Sequence, residues 1–87
     1  MYTLTLIING DAMSVRAPGD HTLGAVKANI LAQVGYTADS TLPPSKWEVR
    51  DAADGYLLNE NSIIRDLVEK DRVTRILVTL PVGAGGS

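Results

Sequence analysis

A strictly alternating run meets an Asn-Gly pair within the first ten residues, and nothing else in the chain restricts its folding as tightly. Tyr2, Leu4, Leu6 and Ile8 alternate with Thr3, Thr5 and Ile7, the period-two signature of a strand with one buried face. Asn9-Gly10-Asp11 supplies hairpin turn chemistry, and Met13, Val15 and Ala17 resume the alternation against Ser14 and Arg16. Two antiparallel strands ending near Pro18-Gly19 are therefore expected. Whatever follows must cover their apolar face.

The next segment reads as that cover. Thr22 is placed to cap a helix in which Leu23, Val26, Ile30 and Val34 recur at spacings of three and four, and Gly35 is placed to end it. Gly24 in the first turn weakens such a helix by about 1 kcal/mol relative to alanine, so packing on the sheet must hold it. Pro43-Pro44 forbids further helix and leads into a strand with Trp47 and Val49 inward. Ala53-Asp54-Gly55 turns the chain into a short return strand over 56–58. Ser62 is then expected to cap a helical turn through Ile63, Ile64 and Leu67, and a last strand is expected over 74–80 with Ile76, Val78 and Leu80 inward. The expected fold is α+β, ββαββ, a short helix, then β, on a mixed sheet with one main helix. No internal period repeats, and no low-complexity run occurs before the final five residues.

Composition closes off several functions. At 87 residues and 45% hydrophobic, the chain supports one domain, expected over 1–80. It has no cysteine and one histidine, His21, which excludes a disulfide framework, a Cys/His zinc site and a thiol nucleophile. Ten acidic against eight basic residues give a net charge of -2 with no Lys/Arg cluster, so no nucleic-acid partner is expected. No segment approaches the roughly 20 apolar residues of a membrane span. Residues 1–8 lack the basic flank and length of a signal sequence, and a cytoplasmic monomer is the expectation.

Past the last strand the chain reads Leu80-Pro81-Val82-Gly83-Ala84-Gly85-Gly86-Ser87. This stretch offers little apolar area against its ordering entropy, so 81–87 is expected to be a flexible tail. Two successive glycines let an extended backbone enter a channel too narrow for side chains.

That order of elements resembles the β-grasp fold, and with the di-glycine the chain resembles ubiquitin and ubiquitin-like modifiers. Thr22-Leu23, Val26-Lys27-Ala28, Ile30 and Gly35 carry the closest local match, with Pro43-Pro44 like the family's post-helix prolines. The resemblance covers residues 1–86. It implies a protein that catalyses nothing and needs no cofactor of its own. Gly86, with Gly85, would be the site of conjugation: its carboxylate is adenylated by an ATP-dependent activating enzyme, passed as a thioester to a conjugating enzyme, and joined to a lysine of a target protein. Ser87 masks that carboxylate as an amide. Either a processing peptidase trims the Gly86-Ser87 bond, or Ser87 is a cloning scar. Leu80, Pro81, Val82, Gly83 and Ala84 would be the stretch the activating enzyme reads. Lys27, Lys46 and Lys70 are the only lysines, hence the candidate acceptors for self-linked chains. Lys27 follows the inward-facing Val26, so its stem is expected to pack on the sheet and make it a poor acceptor.

The chain also departs from ubiquitin. Its outer sheet face is expected to display Thr3, Thr5, Ile7, Glu48, Arg50, Arg75, Leu77 and Thr79, not an apolar receptor patch. Its tail is uncharged where ubiquitin carries arginines, which implies an activating enzyme with an apolar channel. Such divergence resembles the bacterial ubiquitin-like proteins that accompany activating and conjugating enzymes and JAB-type metallopeptidases able to process or deconjugate them, some in antiphage defence. Two rivals stand beside the modifier. One is a sulfur carrier, in which Gly86 becomes a thiocarboxylate. The other is a non-covalent β-grasp interaction domain with incidental glycines, its tail a linker or tag. Of the remaining polar residues, His21 reads as a surface histidine. Asp51, Asp54, Glu60, Asp66 and Asp71 read as ordinary acids of turns and rims, and Trp47 as core.

Overall fold

The computed structural model describes residues 1–35 and 43–80. Strand β1 (Tyr2–Ile8) runs into β2 (Asp11–Ala17), followed by helix α1 (Leu23–Gln33), a 3-10 turn (Pro44–Lys46), strand β3 (Glu48–Asp51), helix α2 (Ile64–Glu69) and strand β4 (Arg75–Thr79). The strands form one mixed sheet in the order β2-β1-β4-β3. β1 is antiparallel to β2 and parallel to β4, and β4 is antiparallel to β3. This is a small α+β fold of β-grasp-like form.

The hairpin follows from its turn. Asn9 and Gly10 both take positive φ, 52° and 83°, which sets the tight turn whose twist matches the strands. Ile8 then faces Asp11, and the register runs unbroken to Tyr2 opposite Ala17. That register puts Leu4, Leu6 and Ile8 on one face, joined by Ile76 and Val78 of β4 and Val49 of β3, all buried. Trp47 and Val73, just before β3 and β4, and Ile64 and Leu67 of α2 add to this core, and α1 lays Leu23, Val26, Ile30 and Leu31 against it.

The main helix starts where expected, with Thr22 Oγ1 accepting from the Ala25 amide at 3.2 Å. Gly35, at φ 85°, ends it. Val34 does not join the buried stripe: it is the C-cap residue and 37% exposed. Leu31 takes its place.

Three further expectations are corrected. Residues 56–58 make no strand of their own; the segment reaches β3 through one bridge, Arg50 to Leu57, with the Asp51 amide donating to the Tyr56 carbonyl and the Leu58 amide to the Val49 carbonyl. The Tyr56 amide is taken by the Asp54 carboxylate at 2.9 Å, and the Asn61 amide by the Asn59 side chain, so turns on both sides stop the ladder from growing. Ser62 does not cap α2. The cap residue is Ile63, without a side-chain bond, because the first α2 amides find backbone acceptors instead: Ile64 N–H donates to the His21 carbonyl and Arg65 N–H to the Gly19 carbonyl, both at 2.9 Å. Leu80 is not inward. β4 ends at Thr79 opposite Glu48, β1 ends opposite Val78, and Leu80, past both partners, is 38% exposed.

The cap of α2 has a mirror in α1. Leu23 N–H donates to the Ser62 carbonyl and Gly24 N–H to the Glu60 carbonyl, again at 2.9 Å. Each helix therefore satisfies its first two amides on the loop that precedes the other helix, which answers the question that every helix N-terminus poses. Gly24 is explained by the same closeness: a Cβ there would stand 3.3 Å from both the Cβ and the carbonyl oxygen of Glu60.

Candidate functional site

The residues expected to carry conjugation and processing, Gly85, Gly86 and Ser87, lie outside the described residues, as do Pro81, Val82, Gly83 and Ala84 of the expected recognition stretch. Leu80 is the one member of that stretch on the folded body. It stands at the C-terminal end of β4, an interior strand flanked by β1 and β3. An interior strand pairs on both sides, so Leu80 follows directly on an element that the sheet holds from both flanks.

The three lysines divide by environment. Lys27 is only 2% exposed although it carries a charge. Its stem lies in the buried face of α1, and its ammonium donates to the Trp47 carbonyl at 2.9 Å and to the Glu60 carboxylate at 2.5 Å. Burial of an ammonium is tolerated only with such partners. Glu60 is thus the counter-ion of a buried cation and not merely a turn acid, a role with no signal in the spacing because Lys27 and Glu60 are 33 positions apart. Lys70 caps α2 and is 76% exposed, with a loose 3.8 Å ion pair to Asp66 one turn earlier. Lys46 ends the 3-10 turn in the open. Of the candidate acceptors, two reach solvent and one does not.

The other acids behave as turn and rim residues. Asp51 accepts from the Ala53 amide and Asp54 from the Tyr56 amide, the local closures that make Asp common in turns. Asp66 meets Lys70, and exposed Asp71 follows the end of α2. Trp47 is buried in the core, as its place in the strand pattern indicated. His21 is exposed and stands at the rim of a groove of about 250 Å³ between β2 and α1, floored by Val15, Ala17, Val26 and Ile30.

On the solvent side of the sheet, every expected residue is in place. Thr3, Thr5 and Ile7 of β1, Arg75, Leu77 and Thr79 of β4, and Glu48 and Arg50 of β3 alternate with the buried positions. Arg16 of β2 joins them opposite Thr3. Its strand alternates just as legibly, so the sequence held the signal for it. No helix among the described residues is long and apolar enough to cross a membrane. Compared with known protein families and with curated proteins, the sequence matches none.

Proposed function

We propose that the protein is a ubiquitin-like modifier, joined to other proteins through the Gly86 carboxylate once Ser87 has been removed. The observation that carries this reading is the pairing of a β-grasp-like body with a Gly85-Gly86 sequence that starts six residues after β4 closes at Thr79. In this scheme a peptidase hydrolyses the Gly86-Ser87 amide, adding water and releasing serine. The freed carboxylate attacks the α-phosphate of ATP, pyrophosphate leaves, and the resulting acyl-adenylate transfers its acyl group to a cysteine of the activating enzyme, releasing AMP. A conjugating enzyme takes over the thioester, and a target lysine amine attacks it, forming an isopeptide bond and regenerating the thiol. Once the carboxylate is adenylated, every group that attacks its carbonyl comes from another protein, which suits a chain without cysteine. The uncharged tail points to partners with an apolar channel, of the kind that bacterial operons pair with such modifiers.

The test is to incubate the chain ending at Gly86 with ATP and lysate of its source cell and to record intact masses. Protein-sized adducts are expected. An oxygen-to-sulfur mass change instead would make the chain a sulfur carrier, and no ATP-dependent change would leave it a non-covalent binding domain. No lysine or arginine follows Arg75, so a modified lysine retains segment 76–86 after trypsin. Absence of that remnant from the source proteome would rule conjugation out.

A further inference from the structure

The two edges of the sheet are finished differently. At one edge, β3 is covered where residues 56–58 bridge it at Arg50 and bond to Val49 and Asp51. At the other, no strand pairs with the outer side of β2 among the described residues. β2 is seven residues long, its register with β1 runs without a bulge, and Asp11–Ala17 holds neither lysine nor proline. Short length, bulges, lysine and proline are the usual means of blunting an exposed edge, and β2 has none of them.

The turn fixes which backbone groups that edge presents. Ile8 and Asp11 close a two-residue turn, and the pair that closes such a turn exchanges both of its hydrogen bonds. Asp11, Met13, Val15 and Ala17 therefore bond to β1, whereas Ala12, Ser14 and Arg16 aim their N–H and C=O groups away from it. Thr5 agrees with this phase: it stands opposite Ser14, yet its amide donates at 2.8 Å to the Thr74 carbonyl on its other side. Outward backbone groups thus recur at alternate positions centred on Ser14.

We propose that two copies of this chain associate edge to edge, β2 antiparallel to β2 about a twofold axis through Ser14. The strand is self-complementary in that register. Ser14 meets Ser14, Ala12 meets Arg16 and Asp11 meets Ala17, so every outward amide and carbonyl of the strand gains a partner and no like charges stand opposite one another. On the inner face Met13 of each copy meets Val15 of the other. Both are half-buried in the single chain, and each covers apolar surface that the other leaves in water. The axis is perpendicular to the sheet, so both copies of α1 lie on one side. The two grooves between β2 and α1 then join beneath a continuous sheet, and their helix rims, Asn29 and Gln33, are uncharged, which lets the helices approach. A contact confined to one strand buries little area, so the expected monomer describes dilute protein. This association rests on β2 and stands or falls independently of any tail chemistry.

The test uses the full chain. Its mass at sedimentation equilibrium is expected to climb from monomer toward dimer between about 5 and 500 μM, the weak range that a small interface implies. Over the same range amide exchange should slow at Ala12, Ser14 and Arg16 and stay constant at Met13 and Val15, which already bond to β1. Because the chain has no cysteine, a single introduced thiol reports its own symmetric position. With oxidised glutathione, Ser14→Cys, whose two Cα atoms would lie about 5.5 Å apart, should link into dimers at least about tenfold faster than Ala12→Cys, whose copies would be about 14 Å apart. Ser14→Lys changes an exposed side chain, sets like charges directly opposite, and should weaken association at least about tenfold. A monomeric mass at the highest concentration, equal linking of the two cysteine variants, or undiminished association of Ser14→Lys would overturn the proposal.

Discussion

Lys27 illustrates how a charged residue can belong to a core. Its four methylenes are buried along with the inward face of α1, while its ammonium is tied to the Trp47 carbonyl and to Glu60, which is itself 42% exposed. Truncation at Lys27→Ala removes the buried stem together with the ammonium's bonds to the Trp47 carbonyl and to Glu60, and we expect a loss of about 3 kcal/mol. Lys27→Met keeps most of the volume, and Glu60 can return to water, so it should recover more than half of that loss. Urea titrations followed by Trp47 fluorescence decide the matter: equal losses for the two variants would mean that charge, not packing, fixes the site. The same burial should slow acylation of Lys27 by an amine-reactive ester on the order of 100-fold relative to Lys46 and Lys70, because reaction must await local opening. Mass spectrometry of briefly treated, folded protein reads this directly, and comparable labelling of all three lysines would contradict it. Gly24 makes a second residue-scale case. Glycine to alanine inside a helix ordinarily stabilises by about 1 kcal/mol, yet here the new methyl would press on Glu60 from 3.3 Å. Gly24→Ala is expected to be neutral or destabilising, and a rise in the urea midpoint would show that the 59–62 loop yields easily.

Between elements, the crossed capping of α1 and α2 makes two short helices into one cooperative piece. Six-residue α2 has no side-chain cap and is far below the length at which a helix persists alone. Its first amides depend on Gly19 and His21, just before α1, while those of α1 depend on Glu60 and Ser62, just before α2. The Thr22–Ile63 bridge lies between the two sets. Opening either loop should therefore expose both helix starts, and amide exchange at Leu23, Gly24, Ile64 and Arg65 should report opening free energies within about 1 kcal/mol of one another. Exchange at Ile64 and Arg65 that is tens of times faster than at Leu23 and Gly24 would separate the helices and defeat the idea. This feature also marks where reading the sequence stops. The hairpin, α1 with its Thr22 cap, the inward Trp47 and Val49, and the inward Ile76 and Val78 are all legible, because each is encoded by period and turn chemistry within about ten neighbouring residues. The α2 cap, the Glu60 counter-ion and the fate of residues 56–58 are not. Each is settled by groups distant in sequence or by competition for one amide, as when Asp54 takes the Tyr56 N–H. Of the proposed site, the lysine environments and the sheet surface are described, and of the tail only Leu80 is.

For the molecule as a whole, the proposed function divides the chain into a body that partners would recognise and a short sequence that they would react with. The body's recognisable face differs from an apolar receptor patch in a way that can be weighed. Ile7 and Leu77 are both half-buried, so the aliphatic area they can still remove from water is small, and at about 25 cal/mol per Å² it contributes little to a complex. A partner on this face would have to draw its affinity from charge, at Arg16, Arg50 and Arg75, and from the low entropy cost of a threonine-rich surface. A receptor shaped for an apolar patch would have to strip water from Arg16 and Arg75 without offering a counter-ion, which costs more than the contact with Ile7 and Leu77 returns. Ordinary ubiquitin receptor domains are accordingly expected to bind this protein only weakly. Calorimetric titration of such a domain against the folded chain is the check, and an affinity of micromolar or tighter would show that the aliphatic centre, not its arginine frame, governs recognition.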